Sequence, residues 1–238
     1  MHRRWLGATC LLVAACAAVA PHAPAPAPVL EAPAGFPSAF YRQTAASGRA
    51  VYQIDAGRSI ATVNAYASGS LAHLGHNHVI STRQIHGFVL ASDDPQEARA
   101  DLYVSLAGLD VDDPPLRAAA GFDGPLKPEE IVQTRAHMLD AVLRANLYPF
   151  LELRAAWTAD APPGTALDVH IRLHGTERPY RVPVKYSRTA DSLEVSGQFQ
   201  IRQTDFAMTP YSVLGGALMV RDELVLRFTI LARRTGGG

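Results

Sequence analysis

LEVSGQFQIR, residues 193–202, alternates without a slip: Leu193, Val195, Gly197, Phe199 and Ile201 fall on one side, and Glu194, Ser196, Gln198, Gln200 and Arg202 on the other. Side chains of an extended chain point to opposite faces in turn, so this stretch is a strand with one face in an apolar interior and one in water. The same pattern recurs outward from it. Leu167, Val169, Ile171 and Leu173 oppose Asp168, His170, Arg172 and His174; Tyr180, Val182, Val184 and Tyr186 repeat the rhythm, as do Leu224, Leu226, Phe228 and Ile230. Further strands are expected at 51–55, 59–67, 79–91, 99–106 and 148–155. So many one-sided strands require two packed sheets or one sheet closed on itself, and alternation alone does not separate the two. Closure removes exposed edges, and a barrel of about eight strands either fills with side chains or holds one ligand.

One segment breaks the rhythm. Pro128 suits a first helical position, Glu129 and Glu130 a first turn, and Ile131, Met138, Leu139 and Val142 recur at helical spacing. Arg144 falls in the last turn, and Asn146 and Pro149 end the segment. One helix of about four to five turns therefore interrupts the strands.

The first residues read as an address. Arg3 and Arg4 precede an apolar run from Leu6 to Ala20, too short to span a bilayer comfortably. Val13-Ala14-Ala15-Cys16 is the small-residue-then-cysteine pattern of bacterial lipoprotein processing. Residues 1–15 are then a lipoprotein signal peptide and Cys16 carries the lipid; the alternative is an ordinary secretory cut near Ala20, where Pro21 is a poor neighbour. Ala17 after Cys16 shows no retention signal, which favours the outer membrane. From Cys16 to residue 49 the chain reads as a Pro/Ala-rich tether, with His22-Ala23-Pro24-Ala25-Pro26-Ala27-Pro28 at its heart. Membrane attachment is expected through the acyl anchor only.

Composition excludes other classes. Both cysteines, Cys10 and Cys16, lie in the leader, so the mature domain has neither disulfide nor thiolate ligand. Twenty-two basic residues balance 22 acidic ones and no basic stripe carries interleaved aromatics, so nucleic acid is not an expected partner. Neither a Gly-x-Ser-x-Gly elbow nor a phosphate-binding glycine loop is present.

Several short stretches resemble the YceI-like family of bacterial envelope proteins. They are Tyr52-x-Ile54-Asp55 with Ser59-Ile60, His73-Leu74-Gly75, Gly87-Phe88, Tyr148-Pro149, Leu173-x-Gly175-Thr176 leading to Pro179, and Arg202-x-Thr204-Asp205-Phe206. Ala207 stands where that family usually has glycine. The resemblance implies an all-β domain over residues 50–235: an extended antiparallel lipocalin-like barrel of about eight strands with one α-helix inserted. It also implies binding without catalysis, the ligand being a long-chain amphiphile of the polyisoprenoid or isoprenoid-quinone class. Phe88, Leu151, Leu153, Phe199 and Phe228, all on apolar strand faces, are the wall candidates, with plain core packing as the alternative role for each.

A histidine cluster supports a different reading. His73, His76 and His78 fall within six residues, and His76 and His78 at i and i+2 on a strand would share a face. Three imidazoles suit zinc or copper, which makes a periplasmic metal-binding protein the second hypothesis. The bland alternative is a glycine-containing bend of polar residues. His170 and His174 read as solvated or rim residues. Asp110, Asp112 and Asp113 before Pro114 read as a solvated turn, with a calcium loop less favoured for want of further oxygen ligands. A third hypothesis is a filled barrel displaying the acidic loop or the histidine bend to a protein partner.

Overall fold

The computed structural model describes residues 31–236 apart from Asp123, Pro125 and Pro163. The expected signal peptide, Cys16 and the first half of the expected tether lie outside the described residues.

Fourteen strands follow in chain order: β1 (Val51–Ile54), β2 (Ile60–Ala65), β3 (Ala67–Ser68), β4 (His78–Thr82), β5 (Ile85–Leu90), β6 (Arg99–Ser105), β7 (Asp110–Val111), β8 (Phe150–Trp157), β9 (Ala166–Leu173), β10 (Thr176–Arg188), β11 (Ser192–Arg202), β12 (Ser212–Val213), β13 (Leu218–Val220) and β14 (Glu223–Arg234). The helices are α1 (Ser38–Ala46), α2 (Pro114–Ala119) and α3 (Pro128–His137). Antiparallel pairing runs β1-β5-β6-β8-β9-β10-β11-β14 and returns to β1, so the sheet closes into an eight-stranded barrel. Alternation left sandwich and barrel open; the pairing of Tyr52 with Arg234 and of Ile54 with Ala232 decides for the barrel.

Three barrel strands are kinked. β14 runs past β1 to pair with β2, β4 pairs with β2, and β7 with β4. Thus β1 with β2, β5 with β4, and β6 with β7 each form one bent strand. The breaks at 55–59, 83–84 and 106–109 lie side by side across the sheet. The stretch expected as one strand over 79–91 is therefore two. Local hydrogen bonds explain the breaks: the Gln84 N–H donates to Thr82 Oγ1 at 3.0 Å, turning the chain. Opposite the 55–59 break, Leu231 O still accepts from the Asp55 N–H at 2.8 Å, but the Leu231 N–H has no strand carbonyl to meet. Buried Ser59 repairs this, its Oγ accepting from the Leu231 N–H at 3.0 Å and donating to Asp55 O at 2.8 Å.

The inserted helix starts at Pro128, as the sequence predicts, with the Glu130 carboxylate accepting from the Lys127 N–H at 3.0 Å. Its continuation differs: Met138–Val142 widens into a π turn closed by the Leu143 N–H on Met138 O at 2.9 Å. Met138, Leu139, Val142 and Leu143 pack against the core formed by Val169, Ile171, Leu173 and Val182. The helix fills the gap where β7 has turned away from β8.

The tether expected up to residue 49 needs correction, because Ser38–Ala46 is helix α1. Tyr41 is wholly buried, stacks on Phe88 with centroids 5.2 Å apart and donates to Asp101 Oδ2 at 2.6 Å. One aromatic anchor and a buried carboxylate hold a helix that alternation could not reveal. The folded unit thus begins ahead of residue 50.

Candidate functional site

The barrel encloses a cavity of about 400 Å³, within the roughly 300–1,000 Å³ of small-molecule sites. Its walls are the inward rows the alternation identified: Leu167, Val169, Ile171 and Leu173 of β9, Leu193, Val195, Phe199 and Ile201 of β11, and Leu224, Leu226, Phe228 and Ile230 of β14. The lining is almost wholly aliphatic and aromatic. The opposite end of the barrel carries instead an open, polar depression bounded by Tyr52, Asp93, Arg188 and Thr189.

Four of the five expected wall residues, Leu151, Leu153, Phe199 and Phe228, line the cavity. Phe88 does not. On β5 the inward residues are Ile85 and Val89, so parity turns Phe88 outward, where Tyr41 covers it. A side chain buried beneath a surface helix has the same sequence signature as one inside a barrel. Gly197, on the inward row by its alternation, also shapes the wall. A Cβ on Gly197 would stand 2.7 Å from Pro183 O and 2.9 Å from the Phe228 ring, so glycine there lets that ring lie flat against the sheet.

The histidine cluster does not assemble as a metal site. Among the described residues no group of three His, Cys, Asp or Glu side chains converges. β4 begins only at His78, so His76 shares no strand face with it. His73 sits in a 3-10 turn over Ala72–Leu74, and both His73 and His76 are exposed. Intervening Asn77 is structural, its Oδ1 accepting from the Ala67 N–H at 3.0 Å.

His78 has another role. It lies on the inward row with Ile80 and Thr82 and lines one end of the cavity. Its Nδ1 is 2.6 Å from Asp112 Oδ2. The Asp112 carboxylate is fully buried and also accepts from the Val79 N–H at 3.0 Å and from Arg117 Nη1 at 2.8 Å. Arg117, likewise buried, donates from Nη1 to Asn77 O at 2.7 Å. Burial pushes the Asp112 carboxyl up, but hydrogen bonds from His78, Val79 and Arg117 outweigh it and hold the carboxyl below its usual range. The solvated-turn reading of the acidic loop is therefore wrong for Asp112. Asp112 is a buried ion-pair centre, and Asp113 caps α2 by accepting from the Leu116 N–H at 3.1 Å. Only Asp110 is a plain exposed carboxylate.

α3 closes this end of the barrel. Arg135 pins it across the strand break, donating from Nε to Leu109 O at 3.0 Å and from Nη2 to Ala107 O at 2.6 Å. His137, at the end of α3, stacks on Tyr211 with centroids 4.9 Å apart, and both line the cavity. His174 differs from the solvated reading: its ring packs on Tyr148, and Nδ1 lies 3.2 Å from Phe206 O. His170 is exposed beside Glu177 as expected. All the non-glycine residues with positive φ among the described residues, namely Asp112, Arg144, His174, Ala207 and Leu214, gather at this same end. Backbone strain of that kind concentrates at functional sites.

The model of the YceI-like domain matches residues 52–232, nearly the whole barrel. The chain belongs to the YceI-like family. Solved structures agree on the fold. BcnA of Burkholderia cenocepacia is 14% identical with a TM-score of 0.53, over 75% of this chain and 98% of that one. A polyisoprenoid-binding domain from Saccharophagus degradans, implicated in plant cell wall breakdown, is 14% identical with a TM-score of 0.51, over 79% of this chain and all of that one. No curated protein matches the chain in sequence. In this YceI-like barrel Ala207 takes the left-handed conformation, with φ 55°.

Proposed function

We propose that this YceI-like protein binds and carries one long-chain amphiphile, of the polyisoprenoid or isoprenoid-quinone class, inside its barrel at the cell envelope, without catalysing a reaction. The observation that carries the reading is the closed barrel with its apolar interior left open. A self-sufficient structural barrel would fill that space with side chains, since interiors pack to crystal-like density. Burying roughly 300 Å² of hydrocarbon at about 25 cal/mol per Å² contributes about 7 kcal/mol, enough to offset the lower range of association costs of about 4 kcal/mol upward. The similarity to a domain described as polyisoprenoid-binding supports the chemical class. The leader and Cys16 support export and an acyl anchor, on the outer membrane by the residue that follows the cysteine.

The test is direct. Protein purified under mild conditions is extracted with organic solvent and the extract analysed by mass spectrometry. One isoprenoid or quinone species near one per protein is the expected result. An extract with no enriched lipid, from protein that also fails to take up a polyprenyl chain, would overturn the reading.

A further inference from the structure

The apolar wall carries a polar group at one end, where His78, Thr134, His137, Gln203 and Tyr211 meet it. Gln203 is tied to its own chain through Nε2, which donates to Arg221 O at 2.8 Å, and its Oε1 stays available as a further acceptor on the rim. His78 is different. Its Nδ1 lies 2.6 Å from a buried carboxylate that only accepts when ionised, so a neutral ring there holds its proton on Nδ1. Nε2 is then a lone-pair acceptor. Among the described residues no hydrogen bond reaches it, nor the Tyr211 hydroxyl, nor either ring nitrogen of His137. A buried ion pair of Asp112 with Arg117 is a costly way to hold one imidazole still, unless its orientation matters.

We propose that His78 is the head-group acceptor of the lipid site, a reading that rests on the amphiphile binding proposed above. Asp112 and Arg117 are positioning residues. His78 Nε2 receives a hydrogen bond from a hydroxyl at the end of the apolar chain, as in a prenol, a phenol or a hydroquinone, and Tyr211 Oη is the second partner on the same rim. A hydroxyl fits because it both donates and accepts. A phosphate does not: Arg117 is engaged with Asp112 and Arg135 with two carbonyls. Arg227 is the sole arginine or lysine among the lining residues, and it stands on the outward row of β14, exposed.

Delipidated full-length protein is titrated with four probes of one C20 chain: geranylgeraniol, its methyl ether, its monophosphate and the saturated hydrocarbon. Displacement of diphenylhexatriene gives the affinities. The alcohol is expected to bind roughly tenfold tighter than the ether, which cannot donate, and tighter than the phosphate. His78→Phe, which removes the acceptor, is expected to bring alcohol and ether within about twofold while leaving the ether unchanged, and Tyr211→Phe to lower alcohol affinity by about threefold. Equal binding of alcohol and ether by the wild type, or tighter binding of the phosphate, overturns the head-group assignment and leaves the carrier reading standing. Binding of none of the four overturns both. Should His78→Phe fail to fold, the wild-type probe series and Tyr211→Phe still decide.

Discussion

Two aspartates are buried among the described residues, and each is met by an arginine and by a ring. On the barrel flank, Asp101 accepts from Arg99 at 2.6 Å and from the Tyr41 hydroxyl at 2.6 Å. At the cavity end, Asp112 accepts from Arg117 and faces His78. The chemistry is alike but the surroundings differ. Arg99 is 42% exposed and leans over Phe40, whereas Arg117 is 7% exposed. The flank network ends in Tyr41 and ties α1 to the sheet, with Asp101 Oδ2 accepting from both Arg99 and Tyr41. The end network holds His78, which lines the cavity. The same set of carboxylate, arginine and ring thus ties a helix down on the flank and fixes a cavity-lining imidazole at the end.

The largest expected difference is in stability. Asp112→Ala leaves the Arg117 cation buried without its carboxylate, and unfolding in urea at pH 7 should show a loss of about 3–5 kcal/mol. Asp101→Ala should cost less, about 1–3 kcal/mol, because Arg99 can turn to water and only the Tyr41 hydroxyl is stranded. Equal losses would remove the distinction between the two networks.

The networks should also fail at opposite ends of the pH scale. Folded Asp112 titrates below the unfolded value of about 3.9, so between those two values the unfolded chain binds more protons and acid removes stability. Tyr41 is pushed up by burial and by its bond to Asp101, so from about pH 10 upward the folded state holds the extra proton and alkali removes stability. Urea midpoints from pH 3 to pH 11 should show both arms. Asp112→Asn should flatten only the acid arm and Tyr41→Phe only the alkaline one. A single variant flattening both would mean that the two regions unfold as one titrating unit.

The smallest expected effect probes the strain at the cavity end. Ala207 pays about 1–2 kcal/mol for its left-handed backbone, while glycine there loses about 0.5–1 kcal/mol to the entropy of the unfolded chain. Ala207→Gly should therefore raise stability by about 0.5–1 kcal/mol in thermal unfolding. On the flank, where no residue with a side chain has positive φ, glycine substitution at exposed positions should only destabilise.

Most of the barrel was legible. Period-two alternation located the strands and their inward rows, because the rule that sets side-chain direction acts within one strand. Phe88 shows where that rule stops. Parity along β5 is clear only once it is known that Tyr41, 47 positions earlier, covers the outer face. The cavity end was misread for the same reason. His73, His76 and His78 are neighbours in sequence, yet His78 finds Asp112 34 residues away while the other two remain exposed. Asp112 itself looked like part of a solvated acidic turn, since its arginine lies in a helix too short to register as periodic.

What the chain's order of residues determined by itself was the strand set, the inserted helix and the family, all products of local periodicity or short ordered motifs. Tertiary structure alone decided the closure of β1 on β14, the empty interior and the pairing of His78 with Asp112. Those depend on contacts between residues far apart in the chain, and whether apolar faces that meet fill a space or leave one is a matter of summed volumes, which no single strand encodes.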